Sequence, residues 1–203
     1  GFKEKVAALP GVNAAACVSY EALGESGTKT LVKDPVRGDI TINTAGADVG
    51  FFEMHGLQPL AGRFFSSDRG EDMVLDGPNA GPQDQPSLVL NESAVRQLGF
   101  GSPQDAVGKS VDWIRPYASP PTEAQPSYLR SRIIGVVGDV PEGAVRNAAE
   151  PTVYYSHGQF PQANMTLFLR AQRPATQVAS AVAAIHQVDP GLAISRIQTF
   201  DDA

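Results

Sequence analysis

A single cysteine in 203 residues, Cys17, leaves no internal disulfide and excludes a small secreted scaffold stapled by cystines. Its setting, Ala14-Ala15-Ala16-Cys17-Val18, reads as that of a small buried hydrophobe. Basic residues are in deficit, 16 Lys and Arg against 22 Asp and Glu for a net charge of −6. They are also scattered, so the clustered cationic face of a nucleic-acid binder is missing. No apolar run reaches the roughly 18 residues of a membrane helix, and the first residues lack the apolar centre of a signal peptide. What is present, 42% hydrophobic residues over this length, suffices for one large domain or two small ones with a real core. The abrupt opening inside a helical pattern and the stop just after a strand-like one are what an excised domain would show.

Reactive constellations are equally scarce. His55, His157 and His186 lie far apart and none has a second ligand at a metal-binding spacing. Gly24-Glu25-Ser26-Gly27 lacks both the G-x-S-x-G spacing and the apolar strand that runs into a nucleophile elbow, so it reads as a turn. Gly135-Val136-Val137-Gly138-Asp139 is no dinucleotide fingerprint, because the third glycine and the following helix are absent, and there is no Walker A motif. Asp68, Glu71 and Asp76 fall in a glycine-rich loop without the order of an EF-hand and read as solvated carboxylates. Catalytic, cofactor and metal residues are therefore all expected to be none.

Periodicity lays out the elements. Residues 3–9 form a short amphipathic helix stopped by Pro10-Gly11, and residues 12–20, 28–32 and 39–43 read as strands. Asp48 is placed to cap a helix over 49–55 that ends at Gly56. Residues 66–87, rich in Gly, Pro, Asp and Gln, read as a long loop with a brief strand at 73–75. Residues 110–114 and 129–137 are strands around a proline-rich tip at 116–127, followed by strands at 152–156 and 165–171. The strongest helix covers 176–188, where Val178, Ala181, Val182, Ile185 and Val188 share a face, and a last strand spans 192–200. Asp201 or Asp202 is placed to cap a helix beyond it. Paired strands with helices on one side give an α+β class with mixed sheets.

The most patterned segment is Leu88-Val89-Leu90-Asn91-Glu92-Ser93-Ala94-Val95-Arg96-Gln97-Leu98-Gly99-Phe100. It predicts a strand, an Asn91 N-cap, a helix burying Ala94, Val95 and Leu98, and a Gly99 stop with Phe100 folded back on the last turn. Glu92 sits where the helix dipole favours a carboxylate. With Asp48-x-x-Phe51-Phe52, Leu60-Ala61-Gly62-Arg63-Phe64-Phe65, Val107-Gly108-Lys109, Gly135-Val136-Val137-Gly138-Asp139-Val140, Pro151-Thr152-Val153-Tyr154-Tyr155 and Phe200-Asp201-Asp202, all in order, the chain resembles the MacB-like periplasmic core domain of ABC transporter permeases of the MacB/FtsX type.

That resemblance implies an extracytoplasmic domain held between two membrane helices of an inner-membrane protein. It implies a porter-like, βαβ-type subdomain from residues 1–61 and 151–203 carrying an inserted second α+β subdomain, sabre-like, from residues 62–150. It also implies a non-catalytic role in export, efflux or lipoprotein and cell-envelope processes, passing conformational change from the helices to cargo or a periplasmic adaptor. ATP would be bound by a separate cytoplasmic subunit or domain, and the full complex would be a dimer or pseudo-dimer. Trp113, Tyr117 and Tyr128, bracketing the proline-rich tip, are the expected partner contacts, with core anchoring the equal alternative for Trp113. A freestanding extracellular binding or hydrolase domain is the rival reading; it requires a closed apolar pocket with converging polar groups.

Overall fold

The computed structural model describes residues 2–19, 28–73, 85–114, 128–139, 150–156, 165–171, 174–188 and 190–194. Contacts divide the chain into two units, Gly1–Cys17 with Leu167–Ala203, and Val18–Thr166. Positions 61/62 and 150/151, the expected subdomain boundaries, both lie within the second of these units.

In the first unit, helix α1 (Phe2–Ala7) leads into strand β1 (Val12–Ser19), and strand β9 (Met165–Ala171) into helix α5 (Pro174–Val188). β1 and β9 are neighbours in the sheet. Val6 of α1 meets Ala181, Ala184 and Ile185 of α5 in a small apolar cluster, joined by Leu9, Leu167 and Leu169. Of the expected apolar face, Ala181 and Ile185 are buried and Val178 and Val182 half-buried, and Ala184 joins them, because α5 has one apolar face to hide. Residues 192–194 carry no strand, and the rest of the expected last strand, with the cap at Asp201 or Asp202, lies outside the described residues.

The second unit is built on strands β2 (Thr28–Asp34), β3 (Gly38–Ala47), β5 (Ser87–Asn91), β6 (Ser110–Ile114), β7 (Tyr128–Val137) and β8 (Thr152–Ser156). Their pairings run β2-β6-β7-β5-β8-β3, and β3 returns to pair with β2, so the six close into a barrel. Two pairs, β3 with β8 and β5 with β7, are parallel and the other four are antiparallel. β3 and β8, expected in one subdomain, therefore share a barrel with β5, β6 and β7, expected in the other.

Alternation sends Val32, Ile42, Leu88, Leu90, Val111, Trp113, Ile133, Val136, Val153 and Tyr155 into one core, which Ala94, Val95 and Ala106 complete from the short helices α3 (Glu92–Gln97) and α4 (Pro103–Ala106). A second apolar layer lies on strand residues of opposite parity, Ala47, Val89, Tyr154 and Val137. There helix α2 (Phe51–Met54) contributes Phe52, which stacks on Phe64 at 4.4 Å and meets Tyr154 edge-on at 5.1 Å. The Phe51-Phe52 and Phe64-Phe65 pairs, the first of them 38 residues before Val89, are halves of one aromatic layer. Asp48 does not cap α2 as expected. The helix is shorter, its N-cap is Gly50 at φ 86° with no side-chain bond, and the Asp48 carboxylate instead accepts from the adjacent Val49 N–H at 2.8 Å.

Candidate functional site

The patterned segments converge on β7. Its residues 128–132 pair with β6 on one edge; further along the same strand, residues 135–137 pair with strand β4 (Pro59–Gly62), and residues 132–137 pair with β5. Between the β6 and β4 stretches, Gly108 N–H donates to the Ile133 carbonyl at 2.8 Å and Ile133 N–H to the Lys109 carbonyl at 2.9 Å. Gly108, at φ 84°, is the turn that brings the chain onto this edge. A register shift places Leu88 against Ile133 but Val89 against Gly135, leaving Ile134 as the extra residue of a bulge. The Ile134 carbonyl accepts Arg63 N–H at 2.9 Å.

Here two glycines touch. A Cβ on Gly62 would stand 2.1 Å from the Ile134 carbonyl oxygen, and one on Gly135 would stand 2.0 Å from the Arg63 carbonyl oxygen. The Leu60-Ala61-Gly62-Arg63 and Gly135-Val136-Val137-Gly138 segments are thus the two sides of one backbone contact that no side chain fits. Arg63 is then held by Asp72, a fully buried carboxylate that also accepts Ser66 N–H at 3.0 Å. Glu71 joins it at 3.3 Å. These three polar residues close the loop after β4 around the short 3-10 turn Gly70–Asp72.

Asn91 performs as its pattern predicts and does more. Its Oδ1 accepts Ala94 N–H at 2.9 Å as the N-cap of α3 and also Thr152 N–H at 2.9 Å, while its Nδ2 donates to the Glu150 carbonyl at 2.8 Å. At the other end, Gly99 has φ 81°, Gly99 N–H donates to the Arg96 carbonyl at 3.1 Å, and Phe100 N–H reaches back to the Val95 carbonyl at 3.1 Å, the expected stop. Sequence reading did not anticipate Asp139. Its carboxylate accepts Ser93 N–H at 2.8 Å, Ser93 Oγ–H at 2.7 Å and Arg96 Nη2 at 2.8 Å. Partial burial pushes this carboxyl up, but the Ser93 and Arg96 bonds outweigh it and hold it below the ordinary Asp value. The available signal was that a helix start presents several unpaired N–H groups, of which Asn91 serves one.

The three expected contact residues separate. Trp113 is fully buried, tilted against Tyr155 at 5.9 Å, and donates its Nε1–H to Ser131 Oγ at 2.8 Å. It is a core anchor; β6 alternation turns it into the barrel and removes it from any contact surface. Tyr128 is half-buried, donates its hydroxyl to Asp39 Oδ2 at 2.5 Å and carries the Lys33 ammonium 5.5 Å above its ring. The Asp39 bond pushes the phenol up to about 12. Tyr117, the tip at 116–127, the turn at Gly24 to Gly27, His157 and Asp76 lie outside the described residues. His55 lies tilted against the Phe51 ring at 4.6 Å and pairs its Nδ1 with the Phe51 carbonyl at 2.8 Å. Among the described residues no group of three His, Cys, Asp or Glu side chains is placed to hold a metal ion. Among them, too, no helix is long and apolar enough to cross a membrane.

A mixed α+β domain emerges, organised around one branching strand, whose buried polar side chains tie strand ends and helix ends together. The sequence matches the family described as MacB-like periplasmic core domain over residues 2–191, and the chain belongs to that family. Solved structures share the fold. The periplasmic region of MacB from Actinobacillus actinomycetemcomitans aligns at TM-score 0.60 and 14% identity, covering 92% of this chain and 72% of that one. The extracellular domain of the noncanonic ABC-type transporter YknZ from Gram-positive bacteria aligns at TM-score 0.56 and 11% identity, covering 93% and 82%. No curated protein matches the sequence.

Proposed function

We propose that this chain is the extracytoplasmic domain of an ABC transporter permease and that it passes displacement of membrane helices on to cargo or a partner protein. Family membership over residues 2–191 carries the first half of this reading. The likeness to the outer domains of MacB and YknZ agrees with it. The second half is supported by how polar residues are used. Asn91, Asp139, Arg63 and Asp72 all bond to backbone or to each other, which suits a body that moves as a unit. ATP hydrolysis belongs, on this reading, to a separate cytoplasmic subunit, and the working complex is a dimer. The two chain ends each continue into a membrane helix, so that both helices act on the unit built from residues 1–17 and 167–203.

Site-specific photo-crosslinking of the full-length protein in its own membrane tests this. Adducts with an ATPase-coupled permease partner or with exported cargo are expected, and their change on ATP depletion reports transmission. A protein whose reading frame holds no apolar helix before Gly1 or after Ala203 would refute it and favour the freestanding binding or hydrolase domain.

A further inference from the structure

We propose that α3 is a strut that couples the far end of β7 to the β2–β3 hairpin. The inference rests on the mechanical reading above and names an element that would carry displacement through the barrel unit. Both ends of α3 are fastened to other strands. At its start Asp139, two residues beyond β7, takes Ser93 N–H, Ser93 Oγ–H and Arg96 Nη2, while Asn91 joins Ala94 N–H to Thr152 N–H at the start of β8. At its end the Gln97 carbonyl accepts Arg37 Nη2 at 3.0 Å, and Gln97 Nε2 donates to the Thr41 carbonyl of β3 at 3.0 Å.

Arg37 is itself fixed. Asp34 accepts its Nε at 2.9 Å and its Nη2 at 2.6 Å, and the same carboxylate accepts Val36 N–H and Arg37 N–H at 2.8 Å each. The hairpin tip, the guanidinium and the end of the helix thus form one bonded body. Its six residues make α3 only about 9 Å long at 1.5 Å per residue, too short to bend. Ala94 and Val95 are buried and key it into the barrel core. A displacement of Asp139 along the helix axis therefore either breaks these bonds or moves the hairpin. Ordinary capping makes a different statement: the two fastenings stabilise α3 independently.

A double-mutant cycle in the 203-residue chain separates the two. Asp139→Asn, Arg37→Gln and the double variant are unfolded in urea; Asn matches Asp in size and Arg37 is exposed, so the fold survives both. Residues that do not touch normally combine so that unfolding constants multiply within about a factor of two. A strut predicts that the double variant falls short of the product by more than threefold, since a helix released at one end holds less at the other. Three-fold or less overturns it. Hydrogen exchange supplies a second reading at Leu98 and Gly99, whose N–H groups close the far end of α3 on the Ala94 and Arg96 carbonyls at 2.9 and 3.1 Å. Asp139→Asn must speed both beyond the global change, and unaltered exchange there also overturns the strut. Because these readouts use the chain alone, failure of the membrane crosslinking leaves the strut standing, and the reverse.

Discussion

The glycine contact between β4 and β7 can be tested by a graded series of four alanine substitutions. Gly138 has nothing within 4 Å of an added Cβ and no left-handed backbone, so Gly138→Ala should be neutral or stabilise by about 0.4–1 kcal/mol through the unfolded chain. Gly38 has the same open space but φ 81°, which charges alanine about 1–2 kcal/mol for the left-handed conformation alone. Gly135 has ordinary backbone, but its Cβ would stand 2.0 Å from the Arg63 carbonyl oxygen. Relief requires the strands to part by more than an ångström. That forfeits the Arg63 N–H to Ile134 bond and misfits the aromatic layer, for about 2–4 kcal/mol. Gly62 combines φ 70° with a 2.1 Å approach, so Gly62→Ala should cost about 3–5 kcal/mol. Urea midpoints at constant m-value give the ranking. Gly62→Ala or Gly135→Ala costing no more than Gly38→Ala would show that β4 does not lie against β7 as described.

Four further outcomes follow from single residues. Ser87 Oγ is buried with no hydrogen-bond partner, so Ser87→Ala should raise stability by up to about 1 kcal/mol, seen as a higher thermal midpoint. Trp113→Phe removes the bond to Ser131 Oγ and part of a fully buried ring, and should cost about 2–4 kcal/mol by denaturant titration while leaving partner crosslinking yields per folded molecule unchanged. Tyr128, pushed up to about 12, should supply a late component in ultraviolet alkaline titration that Tyr128→Phe abolishes; its folded value lies above the unfolded one near 10, so its contribution holds below pH 10 and fades as pH rises through 12. Asp139 is depressed in the folded chain, so its contribution is present above the unfolded value near 3.9 and lost as pH falls through the lower folded value; Asp139→Asn should flatten the acid limb of a stability-against-pH curve below about pH 4.

Local chemistry made several elements legible. The Asn91 cap, the Gly99-Phe100 stop and the stripe of α5 follow from side-chain reach and helical period, which act within a few residues and do not need the rest of the fold. Asp48 failed as a cap for the complementary reason: an Asx contact with the next N–H competes with capping, and position along the chain does not choose between them. β4 and α4 went unseen because four residues are too few to show a period. Trp113 was ambiguous because residues 110–114 fix the alternation but not which face is inside.

By itself, then, the sequence determined the α+β class, both ends of α3 and, through the order of its motifs, the family. Only the tertiary structure decided why those motifs occur together. Gly62 meets Gly135, Gly108 meets Ile133, and Asp139 meets Ser93, across 73, 25 and 46 residues of chain respectively. Periodicity describes one element's own faces, whereas the closure of β3 on β2 and the branching of β7 are choices of partner. Such choices are settled by which backbones can approach, and a glycine's missing Cβ has no meaning until the strand lying against it is known.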